Sequence, residues 1–230
     1  MLMLLPGLIC DASIYAPQTA AFRDSRAVDG YGARDRLEDM AAHVLEQAPG
    51  RFDLFGHSMG ARIALEVLRM APERVRRLAL VSTGIHPLRP GEVGTRFDLR
   101  RIGREQGMEA LTEAWLPPMV APANLDDPSI MEPLRRMCLR SGQAVFEAQI
   151  DALLARPEME DLLPAISCPT LVMCGSEDSW SPPAQHEAIA AAVPDSELVI
   201  VEGAGHMIQL EAPDAVNEAI ARWLARPVND

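Results

Sequence analysis

Apolar positions along the 230-residue chain follow two alternating patterns. Short, mainly apolar runs occur at 2–5 (LMLL), 52–55 (FDLF), 78–82 (LALVS), 170–174 (TLVMC) and 198–201 (LVIV), with a weaker one at 26–28 (RAV). Runs of this length with little or no polar face read as strands buried on both sides. Between most of them the period is helical. In 35–48, Leu37, Met40, Ala41, Val44 and Leu45 share one face. Residues 59–71 are apolar nearly all round and predict a buried helix. The stretches 182–193 and 212–225 each open near a proline, as helix starts often do. The alternation predicts an α/β fold of about six mainly parallel strands flanked by helices.

One region interrupts it. From about Gly84 to Pro164 no strand pattern occurs, and helical segments are expected at roughly 92–106, 108–116, 129–140 and 143–155, joined by proline-rich links. Eighty residues of helix between two buried strands must form a separate layer on the edge or top of the sheet. The expected division is a core of 1–84 and 165–230 with a helical cap, 85–164, inserted after the fourth strand. Met108, Met119, Met131 and Met137 within it suit irregular helix packing first and a pliable substrate surface second.

Charge and composition narrow the chemistry. The net charge of −12 argues against nucleic acid or an anionic membrane as partner. All 21 basic residues are arginine, so Schiff-base chemistry, pyridoxal phosphate and a P-loop lysine are excluded together. Cys10, Cys138, Cys168 and Cys174 contain no C-x-x-C pair, and their spacing suits neither zinc nor a disulfide framework. The opening MLMLLPGLIC is broken by Pro6 and Gly7, too short for a membrane span and unlike a signal peptide. A cytoplasmic protein without metal or cofactor, acting on a small molecule, is expected; its oligomeric state is open.

The stretch GHSMG (56–60) places Ser58 between two glycines where a strand hands over to a helix. That context presents a serine hydroxyl at the end of the sheet, beside a helix N-terminus. Serine needs a base to take its proton. Of the five histidines, His206 follows the last strand on a glycine-flanked loop, which emerges at the same sheet edge as Ser58. His43 and His186 read as helix-surface residues, His57 as structural, and His86 as a loop residue that could line a pocket. The carboxylate that would orient His206 is Asp178, just past the preceding strand, with Glu177 its main rival and Asp11 and Glu202 weaker candidates.

These segments resemble the α/β-hydrolase superfamily, in its serine-hydrolase branch with a helical cap. GHSMG is similar to its nucleophile elbow, GSEDSWSPP to its acid loop, and GAGHMIQLEAPDAVNEAIARWL to its histidine loop and last helix. The order Ser58, Asp178, His206 is the order of that family. The resemblance implies Ser58 as nucleophile, Asp178 as orienting acid and His206 as general base. It also implies an oxyanion hole from the backbone N–H groups of Met59 and Leu8, although Pro6-Gly7 replaces the more usual His-Gly pair. The strand pair that usually precedes this loop is expected to be absent.

The activity so implied is hydrolysis of a small or medium, mainly apolar carboxylic ester, thioester or lactone through an acyl-serine. Cleavage of a carbon–carbon bond in a β-diketone-type acid is the alternative, and a non-catalytic ligand-binding protein on the same fold is the third reading. Dehalogenases and epoxide hydrolases of this fold need an aspartate at position 58. The expected pocket draws on Trp115, Leu134, Met137, Trp180 and Met207. Nine arginines lie within 85–164, and one turned inward would bind a substrate carboxylate; a neutral, mainly apolar pocket is the favoured expectation.

Overall fold

The computed structural model describes residues 1–89 and 91–228. Its sheet has six strands: β1 (Leu2–Leu5), β2 (Ser25–Ala27), β3 (Phe52–His57), β4 (Val75–Val81), β5 (Thr170–Gly175) and β6 (Ser196–Val201). They lie in the order β2-β1-β3-β4-β5-β6, and every pairing is parallel. Each apolar run in the sequence is therefore a strand. The central strands β1, β3 and β5 are buried along their whole length. β6 departs from the expectation of burial throughout: it is an edge strand, and Leu198 and Ile200 stand 37% and 40% exposed.

Helices α1 (Ala16–Ala21), α2 (Leu37–Gln47), α3 (Met59–Met70), α7 (Pro183–Ala192), α8 (Ile208–Glu211) and α9 (Pro213–Leu224) connect and cover the strands. Right-handed crossovers put α2, α3 and α7 on one face and α1 on the other. α2 packs against α3, and α9 against α1. The chain leaves β1 toward β2, then returns to β3 on the other side of β1. The carboxyl ends of β1 and β3 thus flank the switch point, where an open parallel sheet leaves a crevice.

Between β4 and β5 the chain forms α4 (Glu92–Trp115), α5 (Pro128–Ser141) and α6 (Gln143–Leu154), with short 3-10 turns. The two helices expected at 92–106 and 108–116 are both present within α4, divided at Gly107, whose φ of 87° and ψ of 173° break the helical path. A left-handed φ of this kind is open to glycine at little cost. α4 packs against α5 and α6, and α5 reaches the 3-10 turn Ala12–Tyr15 after β1. No helix among the described residues is long and apolar enough to cross a membrane.

Candidate active site

The turn after β3 explains its two glycines. A Cβ on Gly56 would lie 2.5 Å from the Gly60 carbonyl oxygen, and one on Gly60 would lie 2.2 Å from that of Leu5. Both clashes are with backbone, which cannot give way. Ser58 is held between them at φ 55°, ψ −118°, an unfavourable region for a residue with a Cβ. Its N–H donates to the Val81 carbonyl at 2.8 Å, and the Thr83 hydroxyl donates to the Ser58 carbonyl at 3.1 Å. Three non-glycine residues among those described have positive φ: Ile9, Ser58 and Ser82. They follow β1, β3 and β4, so backbone strain gathers at one edge of the sheet.

At that edge the three side chains singled out from the sequence meet. His206 Nε2 lies 2.9 Å from Ser58 Oγ, and its Nδ1 lies 2.9 and 3.0 Å from the Asp178 oxygens. A carboxylate only accepts hydrogen bonds, so Nδ1 carries the proton and the neutral ring accepts from the Ser58 hydroxyl through Nε2. Asp178 Oδ1 also accepts the N–H groups of Trp180 (3.0 Å) and Ser181 (2.8 Å). Burial alone would push the Asp178 carboxyl up; the His206 ring and these hydrogen bonds outweigh it and hold the group below the usual carboxylate range. Glu177, the rival acid, points into solvent.

The His206 loop is fixed by Glu211, which no sequence motif marks. Glu211 accepts the N–H groups of Ala121 (2.8 Å), Gly205 (3.0 Å) and Met207 (3.0 Å). The His206 N–H in turn donates to the Met119 carbonyl at 2.8 Å. No acceptor among the described residues takes the N–H of Leu8 or Met59. Met59 opens α3, where the first N–H groups have no partner within the helix and carry its positive end.

These features match an established protein group. A family model described as the alpha/beta hydrolase family matches residues 3–219. The chain belongs to the alpha/beta hydrolase family. Over 97% of its length this hydrolase is 26% identical to a Rhizobium rhizogenes protein named as the carbamate hydrolase RutD, covering 92% of that chain. Among solved structures, a thermophilic esterase from Thermogutta terrifontis superposes with a TM-score of 0.87 at 29% identity, covering 97% of this chain and 88% of that one. The enol-lactonase of Burkholderia xenovorans LB400 gives 0.86 at 24% identity, covering 98% and 91%, a likeness of fold.

Ser58 and His206 open onto a cavity of about 470 Å³. Leu8, Met59, Trp115, Met119, Leu153 and Trp180 form its apolar lining. Trp115 and Trp180 thus stand where the sequence suggested. Leu134, Met137 and Met207 do not line it; all three are packed in the core. α5 lies against α4 and the Ala12–Tyr15 turn, where Leu134 and Met137 are buried, and periodicity reveals that a face is buried but not against what. The lining also departs from a neutral, mainly apolar pocket, because Arg62, Arg89, Glu92 and Arg96 belong to it as well.

Two histidines differ from expectation in instructive ways. His186, read as a helix-surface residue, is fully buried, and its Nε2 accepts the Thr83 N–H at 2.9 Å. Burial pushes it down to about 4. His57 is structural, as expected: its Nε2–H donates to the His206 carbonyl at 2.8 Å, and burial, then the nearby His206 ring, push it down to about 3. His86 lines the cavity. Among the described residues no cluster of three or more His, Cys, Asp or Glu side chains could hold a metal ion.

Proposed function

We propose that this protein is a serine hydrolase that cleaves a small or medium carboxylic ester, thioester or lactone through an acyl-serine. The observation that carries this reading is the chain of hydrogen bonds Ser58–His206–Asp178, at 2.9 Å on both sides of the imidazole. His206 Nε2 takes the Ser58 proton as Oγ attacks the carbonyl carbon, and Asp178 steadies the imidazolium that forms. The tetrahedral oxyanion accepts the N–H groups of Leu8 and Met59. The imidazolium then gives its proton to the leaving oxygen or sulfur, and the acyl group stays on Ser58. Water, deprotonated by the same Nε2, attacks the acyl carbon, and collapse returns the proton to Ser58 and releases the acid.

Residues 85–164 act as the lid that shapes the cavity, and the apolar lining beside Ser58 receives the carbon chain of the substrate. The cysteines of this chain are all free, as suits the reducing cytoplasm. Carbon–carbon cleavage of a β-diketone-type acid is the second reading, favoured by the arginines in the lining.

A fluorophosphonate probe tests the nucleophile, with the adduct expected on Ser58 by peptide mass spectrometry. On the best substrate from a panel of esters, thioesters, lactones and β-diketone acids, Ser58→Ala and His206→Ala should each lower kcat by about 10⁴- to 10⁶-fold. The double variant should be scarcely worse than either, because the two side chains share one step. A double variant far below both singles contradicts the shared step, and label elsewhere than Ser58 contradicts the nucleophile.

A further inference from the structure

Part of the cavity wall has no task in acyl transfer. Arg62 stands on α3 four residues after Ser58, a rise of roughly 6 Å along the helix. It is only 6% exposed, yet lines the same cavity as Ser58. Its Nη2 donates to the His86 carbonyl at 3.2 Å, while its buried Nη1 has no acceptor among the described residues. The acid on that wall is already engaged. Glu92 takes both Nη groups of Arg156 at 2.7 Å and an Nη of Arg96 at 2.7 Å. Arg62, Arg96 and Arg156 thus face one carboxylate, and Arg62 is the guanidinium left without it.

A buried charge without a direct ion pair is costly, and a ligand anion that completes it offsets that cost. Burial, reinforced by Arg156, pushes Arg62 down to about 9, so it remains cationic at neutral pH. Its planar fork matches a carboxylate. Glu92 beside it disfavours a dianion such as phosphate. Arg89, also on the lining, adds attraction for a negatively charged substrate.

We propose that Arg62 binds a free carboxylate of the substrate, so that the preferred substrate is an acid-bearing ester, hydrolysed at one end by Ser58 and held at the other by Arg62. This rests on the reading of Ser58 as nucleophile. The apolar lining between the two groups receives the methylenes that separate ester and acid. The site lies on the core helix that follows the nucleophile, not among the arginines of residues 85–164.

The test pairs the p-nitrophenyl half-ester of glutaric acid with p-nitrophenyl pentanoate, a neutral ester of equal chain length, and adds calorimetric titration of glutarate, which needs no turnover. The wild-type protein should prefer the half-ester, and Arg62→Met should lower the ratio of the two kcat/KM values by about 10- to 100-fold. Glutarate should bind the wild-type protein and not Arg62→Met. A wild-type protein without preference, a preference that survives Arg62→Met, or no glutarate binding overturns the proposal. Arg62-dependent glutarate binding without turnover of either ester would sink the ester-hydrolase reading and leave the carboxylate site standing. If Arg62→Met does not fold, inhibition of wild-type pentanoate ester hydrolysis decides. Competitive inhibition by glutarate and not by glutaramide supports the site, and equal inhibition by both overturns it.

Discussion

The side-chain oxygen of Gln149 accepts the Ile9 N–H at 2.7 Å, joining residues 140 positions apart. Ile9 follows Leu8 in the loop after β1 and has φ of 49°, a left-handed conformation costly for a β-branched residue. A second bond holds it from the other side, where the Ser141 hydroxyl donates to the Ile9 carbonyl at 2.9 Å. Gln149 belongs to α6 and Ser141 ends α5. Helices inserted after β4 therefore fix the loop that carries the Leu8 N–H.

Gln149→Met keeps the volume and removes the acceptor. The buried Ile9 N–H is left unpaired, at a cost of about 1–3 kcal/mol, and the strained turn loses one of its two holds. Thermal stability should fall, and kcat should drop about tenfold or more with a much smaller change in KM, because the oxyanion forms only in the transition state. Measuring kcat, KM and Tm on one preparation separates the two effects. Lower stability with unchanged kcat would show that the Leu8 N–H does not depend on this bond.

Asp178 accepts from His206, whereas its neighbour Glu177 faces solvent. Asp178→Asn presents an amide that can donate where the carboxylate accepted, which favours the wrong imidazole tautomer. It should cost about 10⁴-fold in kcat while leaving the fold intact. Glu177→Gln should change kcat severalfold at most. The kinetics of both variants, with circular dichroism as the check on folding, decide the assignment. A severe loss in Glu177→Gln would move the acid by one residue.

Most of the fold is legible in the sequence because buried parallel strands are apolar and the helices between them are periodic. The site is legible for a related reason. Sharp turns at strand ends need special residues, and Gly56 and Gly60 mark the one that lifts Ser58. Gln149, Glu211 and His186 are not legible in the sequence. Each sits at an unremarkable helical spacing, and its role comes from a partner far along the chain, as with His186 and the Thr83 N–H. Leu134 and Met137 fail in the opposite sense: the sequence shows them buried but cannot tell core from cavity.

The two buried histidines predict acid sensitivity in a defined window. In the folded protein His57 is pushed down to about 3 and His186 to about 4, against an unfolded value of 6.5. As pH falls below about 6.5, the unfolded chain binds protons at these rings and the folded protein does not. Stability therefore falls with falling pH, by on the order of 1.4 kcal/mol per pH unit for each ring in mid-window. The carboxylates act lower. Arg156 and Arg96 overcome the burial of Glu92, and Arg104 and Gln143 act on Glu147, holding both at about 2 against an unfolded value of 4.5. Their contribution is lost only as pH drops below about 4.5. Between pH 6.5 and 4.5 the urea midpoint should fall steadily at constant m, and the loss belongs mainly to histidine. His186→Gln keeps an acceptor for the Thr83 N–H and removes one strongly shifted ring. It should make the slope clearly shallower without abolishing it, whatever it does to stability at pH 7.5, because His57 remains and burial also pushes His43 and His86 down. A midpoint unchanged across that window would mean that both rings take up protons freely inside the fold.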